Sequence, residues 1–145
     1  GQQVALPQLL YDFFHEERRA FGLLQDEIFQ GGQVTVVSKE RIQKLPAGSA
    51  VVLLGEFNSS AEESPVWSDL TGELLRDAWT QAETRRGPSA TMGGFGPPRA
   101  GDKERIDWIL VGGPIDVRSA ETILFNEAGR YPSDHFPVAA RVEIR

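Results

Sequence analysis

At 145 residues, 40% hydrophobic and 25% charged, the chain has the size and composition of one soluble globular domain. A net charge of −6 argues against broad, non-specific DNA binding, which needs lysine and arginine to replace phosphate counterions, but it leaves room for a local basic pocket or a hard-cation site. The absence of cysteine excludes disulfides, thiolate metal sites and thiol nucleophiles, and no apolar run of about 18 residues is present to span a membrane. No apolar leader with a small-residue cleavage site opens the chain. If Gly1 is the scar of a trimmed leader, the protein is secreted or periplasmic.

No internal repeat or low-complexity tract is present. Over residues 7–30, Leu9, Leu10, Phe13, Phe14, Phe21, Leu24, Ile28 and Phe29 recur at roughly helical spacing, and Gly31-Gly32 supplies a stop. QVTVV (33–37) reads as a short β-branched strand. Ser38 is an N-cap candidate for a short helix, SKERIQKL, that ends at Pro46 and Gly48. AVVLLG (50–55) is a continuous apolar run between turn residues, as expected of a buried strand. Strand, short helix and buried strand together suggest a βαβ unit. Glu62 to Asp77 reads as mostly helical, with Pro65 at an early-turn position. Residues 84–104, rich in Gly, Pro and Ser, read as a long surface loop. Three strands follow, in IDWILV (106–111), IDVRSAETILF (115–125) and PVAARVEI (137–144). This order fits an α/β (α+β) sandwich with a mixed sheet, flanked by helices, in a single domain over 1–145.

Three strand ends gather the residues suited to chemistry, and strand ends are where ligand crevices form in open α/β sheets. Glu56 and Asn58 follow the first apolar run, Asp107 opens a strand just after Arg105, and Ser133-Asp134-His135 stands between Pro132 and Pro137 at the mouth of the last strand. Each has a plain alternative. Glu56 and Asn58 suit a turn, and so does Ser-Asp between prolines. Asp107 is harder to explain, because a carboxylate in an apolar strand is costly unless paired. Arg105 on the same strand face is one partner; His135 is the other, and a carboxylate there would fix its tautomer and raise its basicity. His15, in FFHEERR, reads as an ordinary helix-surface histidine, and Trp67, Trp79 and Trp108 read as core.

Taken together, VVLLGEFN, RIDWILV and YPSDHFPV resemble the last three signature blocks of the endonuclease/exonuclease/phosphatase superfamily of metal-dependent phosphodiesterases. LLRDAW (74–79) fits the family's Leu-x-Asp-Ala-Trp helix end, and the resemblance runs from about Ala50 to the C-terminus. It implies two packed β-sheets flanked by helices, with the site at one edge. It further implies that His135 contacts the scissile phosphate and Asp107 orients it, while Asn58 binds the same phosphate oxygens. Asp134 lies among the metal's inner or outer ligands. Glu56, where the family normally has Asp, positions or deprotonates the attacking water beside the metal. Arg105 and Thr91 are further substrate contacts. The implied cofactor is Mg²⁺ or Mn²⁺, and the implied substrate is a phosphate ester: a small phosphodiester, a phospholipid headgroup, a sugar phosphate or nucleic acid. The acidic charge leans away from long DNA.

The departures from the family pattern matter equally. Its N-terminal half brings a strand-borne Asn and a Glu that is the main metal ligand, and residues 1–37 hold neither pattern. Thr91-Met92-Gly93 stands where a Thr-Phe-His is usual, and the family's Thr-His-Leu-type block has no clear counterpart beyond HEERR. The expectation is therefore about half of the full four-layer fold, as a fragment, a truncation or a rearranged relative. Its open sheet face would be covered by the missing half, by the helix over 7–30 or by a second copy of the chain. Without the absent acidic ligand, Mg²⁺ binding is expected to be poor. The alternative to an enzyme is a catalytically inactive scaffold or interaction domain that keeps the architecture.

Overall fold

The computed structural model describes residues 39–145; the helix over 7–30, the strand over 33–37, the Ser38 cap and His15 lie outside them. Residues 39–43 are helical (α1). In chain order there follow β1 (Val51–Glu56), α2 (Pro65–Thr71), β2 (Arg76–Asp77), α3 (Ala78–Gln81), β3 (Thr84–Arg86), β4 (Asp107–Gly112), β5 (Ile115–Thr122) and β6 (Val138–Ile144). They form two three-stranded sheets, ordered β1-β4-β2 and β3-β5-β6. The first is antiparallel throughout; the second is mixed, with β3 parallel to β5 and β6 antiparallel to it.

Side-chain alternation turns these sheets into layers. Leu53, Phe57, Trp108 and Leu110 point from one face of the first sheet onto Leu70 and Leu75, with Ile42, Val66 and Trp67 packed around them, so helices cover that face. Val111, Ala78 and Ala82, with Val52 and Ile109, meet Ile115, Val117 and Ala120, with Ala140 and Val142, and this second cluster joins the two sheets. Each fully buried Leu or Ile in these clusters contributes about 1.5–3 kcal/mol of burial. In β5 the register slips between Val117 and Ser119, a β-bulge that moves the inward set from Ile115 and Val117 to Ala120 and Thr122.

Several elements differ from the sequence reading. The expected helix from Glu62 to Asp77 is confined to Pro65–Thr71. Ser64 caps its start by accepting from the Trp67 amide at 3.2 Å, and Gly72, a poor helix former, ends it. Asp77 is no helix end: it closes β2, and its side chain caps α3 by accepting from the Trp79 amide at 2.9 Å. The 84–104 segment is not all surface loop, because Thr84–Arg86 pairs with β5 and Ala90 and Thr91 are buried. Trp108 is core as expected, whereas Trp67 and Trp79 are half-buried. Among the described residues, no helix is long and apolar enough to cross a membrane.

Candidate active site

The register of the first sheet places Glu56, the last residue of β1, directly opposite Asp107, the first residue of β4. The loop before β6 delivers His135 to the same end. His135 Nδ1 donates to Asp107 Oδ2 at 2.9 Å, and its Nε2 lies 3.8 Å from Glu56 Oε1. The side chains of Asp107 and His135 are 17% and 22% exposed, against 45% for Glu56, so the dyad is sheltered and the glutamate faces the open side. The alternative partner for Asp107 is excluded, because Arg105 is engaged elsewhere.

Local chemistry accounts for this convergence. Ser133 Oγ accepts from the His135 amide at 3.0 Å and reaches Asp134 Oδ1 at 3.4 Å, a side-chain-closed turn of the kind serine favours. The Asp134 carbonyl accepts from the amides of Gly93 and Gly94 at 2.7 and 2.9 Å. Only glycine fits at Gly93: a Cβ there would overlap the Phe136 ring, which is buried and meets Tyr131 edge-on at 5.7 Å. On the other side, Phe57 stacks on Trp108 at 4.3 Å, and Trp108 Nε1 donates to the Arg105 carbonyl at 2.7 Å. Aromatic packing therefore fixes both strands that carry the carboxylates.

Partial burial alone would lower the basicity of His135. The hydrogen bond to Asp107 and the charges of Asp107, Glu56 and Asp134 outweigh it, and the pKa rises above its ordinary value of 6.5. A raised folded-state pKa stabilises the fold fully below the unfolded value, and this contribution is lost as pH rises through the folded value. We expect unfolding midpoints in urea to decline as pH rises from about 6.5 through the raised folded-state value, with Asp107→Asn flattening that decline. An unchanged slope in the variant would show that the dyad does not cause it.

Glu56, Asp107 and His135 can each offer one ligand atom, all within 4.8 Å of one another. Two carboxylates and an imidazole fit a divalent cation in kind, Mn²⁺ accepting the nitrogen more readily than Mg²⁺. Because Asp107 Oδ2 already holds His135, Glu56 is the less committed carboxylate.

The other residues singled out by sequence are distributed around this cluster. Asn58 is exposed, two residues beyond Glu56, with its backbone at φ 48°, in the left-handed region that asparagine tolerates better than most. Asp134 contributes its backbone carbonyl to the loop and stands outside the three-residue cluster. Arg105 and Thr91, expected as substrate contacts, are buried at 4% and 0% exposure. Arg105 donates to Asp77 at 2.7 Å and to Glu62 at 3.1 Å, so its charge is consumed inside the fold. Thr91 Oγ1 accepts from the backbone amides of Ile106 and Asp107. Sequence reasoning gave Asp77 no role of its own, although an acid between Arg76 and the apolar Ala78-Trp79 pair was a visible signal.

Neither a family model nor a curated protein sequence matches this chain. Solved structures do. An endonuclease/exonuclease/phosphatase from Bacteroides vulgatus superposes with a TM-score of 0.69 at 27% identity, covering 78% of this chain and 43% of its own. A functionally unknown conserved protein from Enterococcus faecalis gives 0.66 at 27% identity, covering 76% and 42%. A mannosyl-6-phosphatase from Bacteroides thetaiotaomicron gives 0.65 at 24% identity, covering 76% and 44%. The chain thus spans less than half the length of each of these structures.

Proposed function

We propose that this chain, which has the architecture of the C-terminal half of an endonuclease/exonuclease/phosphatase family protein, carries the phosphate-handling part of a divalent-metal-dependent phosphoester hydrolase. The observation that carries this reading is the sheltered Asp107–His135 hydrogen bond, with the far nitrogen of His135 turned towards a free carboxylate. The phosphatase named among the structural neighbours supports a phosphate ester as the substrate class.

In this reading Asp107 holds the imidazole by Nδ1, so that Nε2 faces a phosphoryl oxygen and donates to it when the imidazole is protonated. The Asp107 hydrogen bond and the surrounding carboxylates raise the basicity of His135 and so favour that protonated form. The Asn58 amide donates to the same oxygens, and Glu56 accepts a proton from the attacking water or orients it. Asp107 and Glu56 would hold the cation, with Asp134 nearby; Mg²⁺ or Mn²⁺, when bound, supplies charge neutralisation on the phosphoryl group. Arg105 and Thr91 support the frame from inside. The acidic chain favours a small phosphodiester, a phospholipid headgroup or a sugar phosphate over long nucleic acid.

Hydrolysis of a small chromogenic phosphodiester, with Mg²⁺ or Mn²⁺ and again with chelator, tests the reading. The Glu56→Asp variant sharpens it. A water-positioning carboxylate works by geometry first, and displacement by ~1 Å can cost ~100-fold. If the extra methylene of Glu56 restrains the enzyme, aspartate raises the rate by about 10-fold. A lower rate would mean that the surroundings are shaped to glutamate. No metal-dependent hydrolysis by either form would favour the inactive scaffold.

A further inference from the structure

We infer that Thr91 is a positioning residue, which locks the two halves of the Asp107–His135 dyad into one register through a single buried residue, its hydroxyl on the Asp107 side and its carbonyl on the His135 side. Thr91 lies in the Gly-rich segment between β3 and β4 and is completely buried. It is tied to both sides of the site. On the Asp107 side, its Oγ1 accepts from the Ile106 amide at 3.0 Å and the Asp107 amide at 3.2 Å, and its own amide donates to the Glu104 carbonyl at 3.1 Å. On the His135 side, its carbonyl accepts from the Phe136 amide at 2.7 Å. Met92 continues this contact by bridging to His135, and Gly93 and Gly94 hold the Asp134 carbonyl.

The side-chain bonds are the part that needs threonine. β2 pairs with β4 only at Val111 and Leu110, so its ladder does not extend to the start of β4. There a hydroxyl replaces the missing strand and fixes the backbone from which the Asp107 side chain departs. A carboxylate and an imidazole joined by one 2.9 Å bond are sensitive to small shifts of either backbone. Thr91 removes that freedom, because the residue that orients Asp107 also holds the peptide that follows His135. This assignment replaces the substrate contact expected from sequence: a residue with no exposed surface acts through Asp107 and His135.

The inference rests on the phosphoester reading for its purpose, and its test does not depend on turnover. In the chain labelled with ¹⁵N-histidine and ¹⁵N-tryptophan, the His135 Nδ1 proton reports the dyad, and the Trp108 indole proton, bonded to the Arg105 carbonyl, reports the neighbouring fold. Thr91→Val, nearly the same in volume, should lose or strongly shift the His135 signal while the Trp108 signal stays. Thr91→Ser, which restores the hydroxyl, should recover it. A valine variant that keeps both signals overturns the inference. Should valine prevent folding, hydrogen exchange on the unmutated chain decides: the amides of Ile106, Asp107 and Phe136 are expected to exchange as one unit. Rates for Phe136 that differ from the other two by about 10-fold or more would separate the halves and refute the lock. If valine erases the dyad signal and no form hydrolyses phosphoesters, the inference stands and the phosphoester reading falls.

Discussion

His135→Ala should lower the proposed metal-dependent phosphoester hydrolysis by about 100-fold to about 10,000-fold, the range typical for loss of a positioned proton donor. The side chain is the only one among the described residues that joins a hydrogen-bonded carboxylate on one nitrogen to a candidate cation site on the other. In the proposed mechanism its removal deletes the donor to the phosphoryl oxygen, and it leaves Asp107 without its partner. His135→Gln would keep volume and polarity but lose the shared proton, and should lie close to alanine in rate. Asp107→Asn should cost less than either, because the imidazole stays but its tautomer is no longer dictated. The effect should fall mainly on kcat, since the interaction strengthens as charge builds on the phosphate. A His135→Ala protein within about threefold of the parent would remove His135 from the mechanism.

The dyad was legible because its chemistry is unusual for its surroundings. A carboxylate at the head of an apolar strand demands a partner, and only Arg105 and His135 were offered by the local pattern. Sequence could not choose between them, because the choice lies in a pairing 28 residues away in each case: Asp107 with His135, and Arg105 with Asp77. The three C-terminal strands were legible for a different reason. Their alternating or continuous apolar patterns each match a sheet with one or two covered faces, and the structure places them within one residue of the expected limits at most ends. Residues 62–77 misled, because apolar spacing there supports a helix while Gly72 and the cap at Asp77 interrupt it. β3 was invisible: Thr84–Arg86 is exposed and polar, and it is a strand because β5 offers it an edge. The structural role of Thr91, expected as a substrate contact, was not legible, because a lone threonine in a Gly-rich loop carries no sign that it will accept two amides 15 and 16 residues downstream.

Asp77→Ala should destabilise the fold by about 3–5 kcal/mol, a large share of the 5–15 kcal/mol that usually holds a domain together. Asp77 is buried, and its two oxygens serve three donors: Arg105 at 2.7 Å, the Trp67 indole at 2.9 Å and the Trp79 amide at 2.9 Å. Alanine would strand a buried guanidinium whose remaining partner, Glu62, sits at the surface and is screened by water. It would also uncap α3 and leave the Trp67 indole unpaired. Asp77→Asn keeps an acceptor for the cap while losing the charge, and should fall between alanine and the parent. The double variant Asp77→Leu with Arg105→Met should recover much of the loss, because removing both charges eliminates the stranded one. The damage should also reach the site, since the Arg105 carbonyl, two residues before Asp107, anchors the Trp108 indole and the Ala61 amide. Urea unfolding followed by tryptophan fluorescence measures each step. An Asp77→Ala protein within about 1 kcal/mol of the parent would mean that Glu62 and water satisfy Arg105 unaided, and that the buried pair is not what secures the strand end on which Asp107 stands.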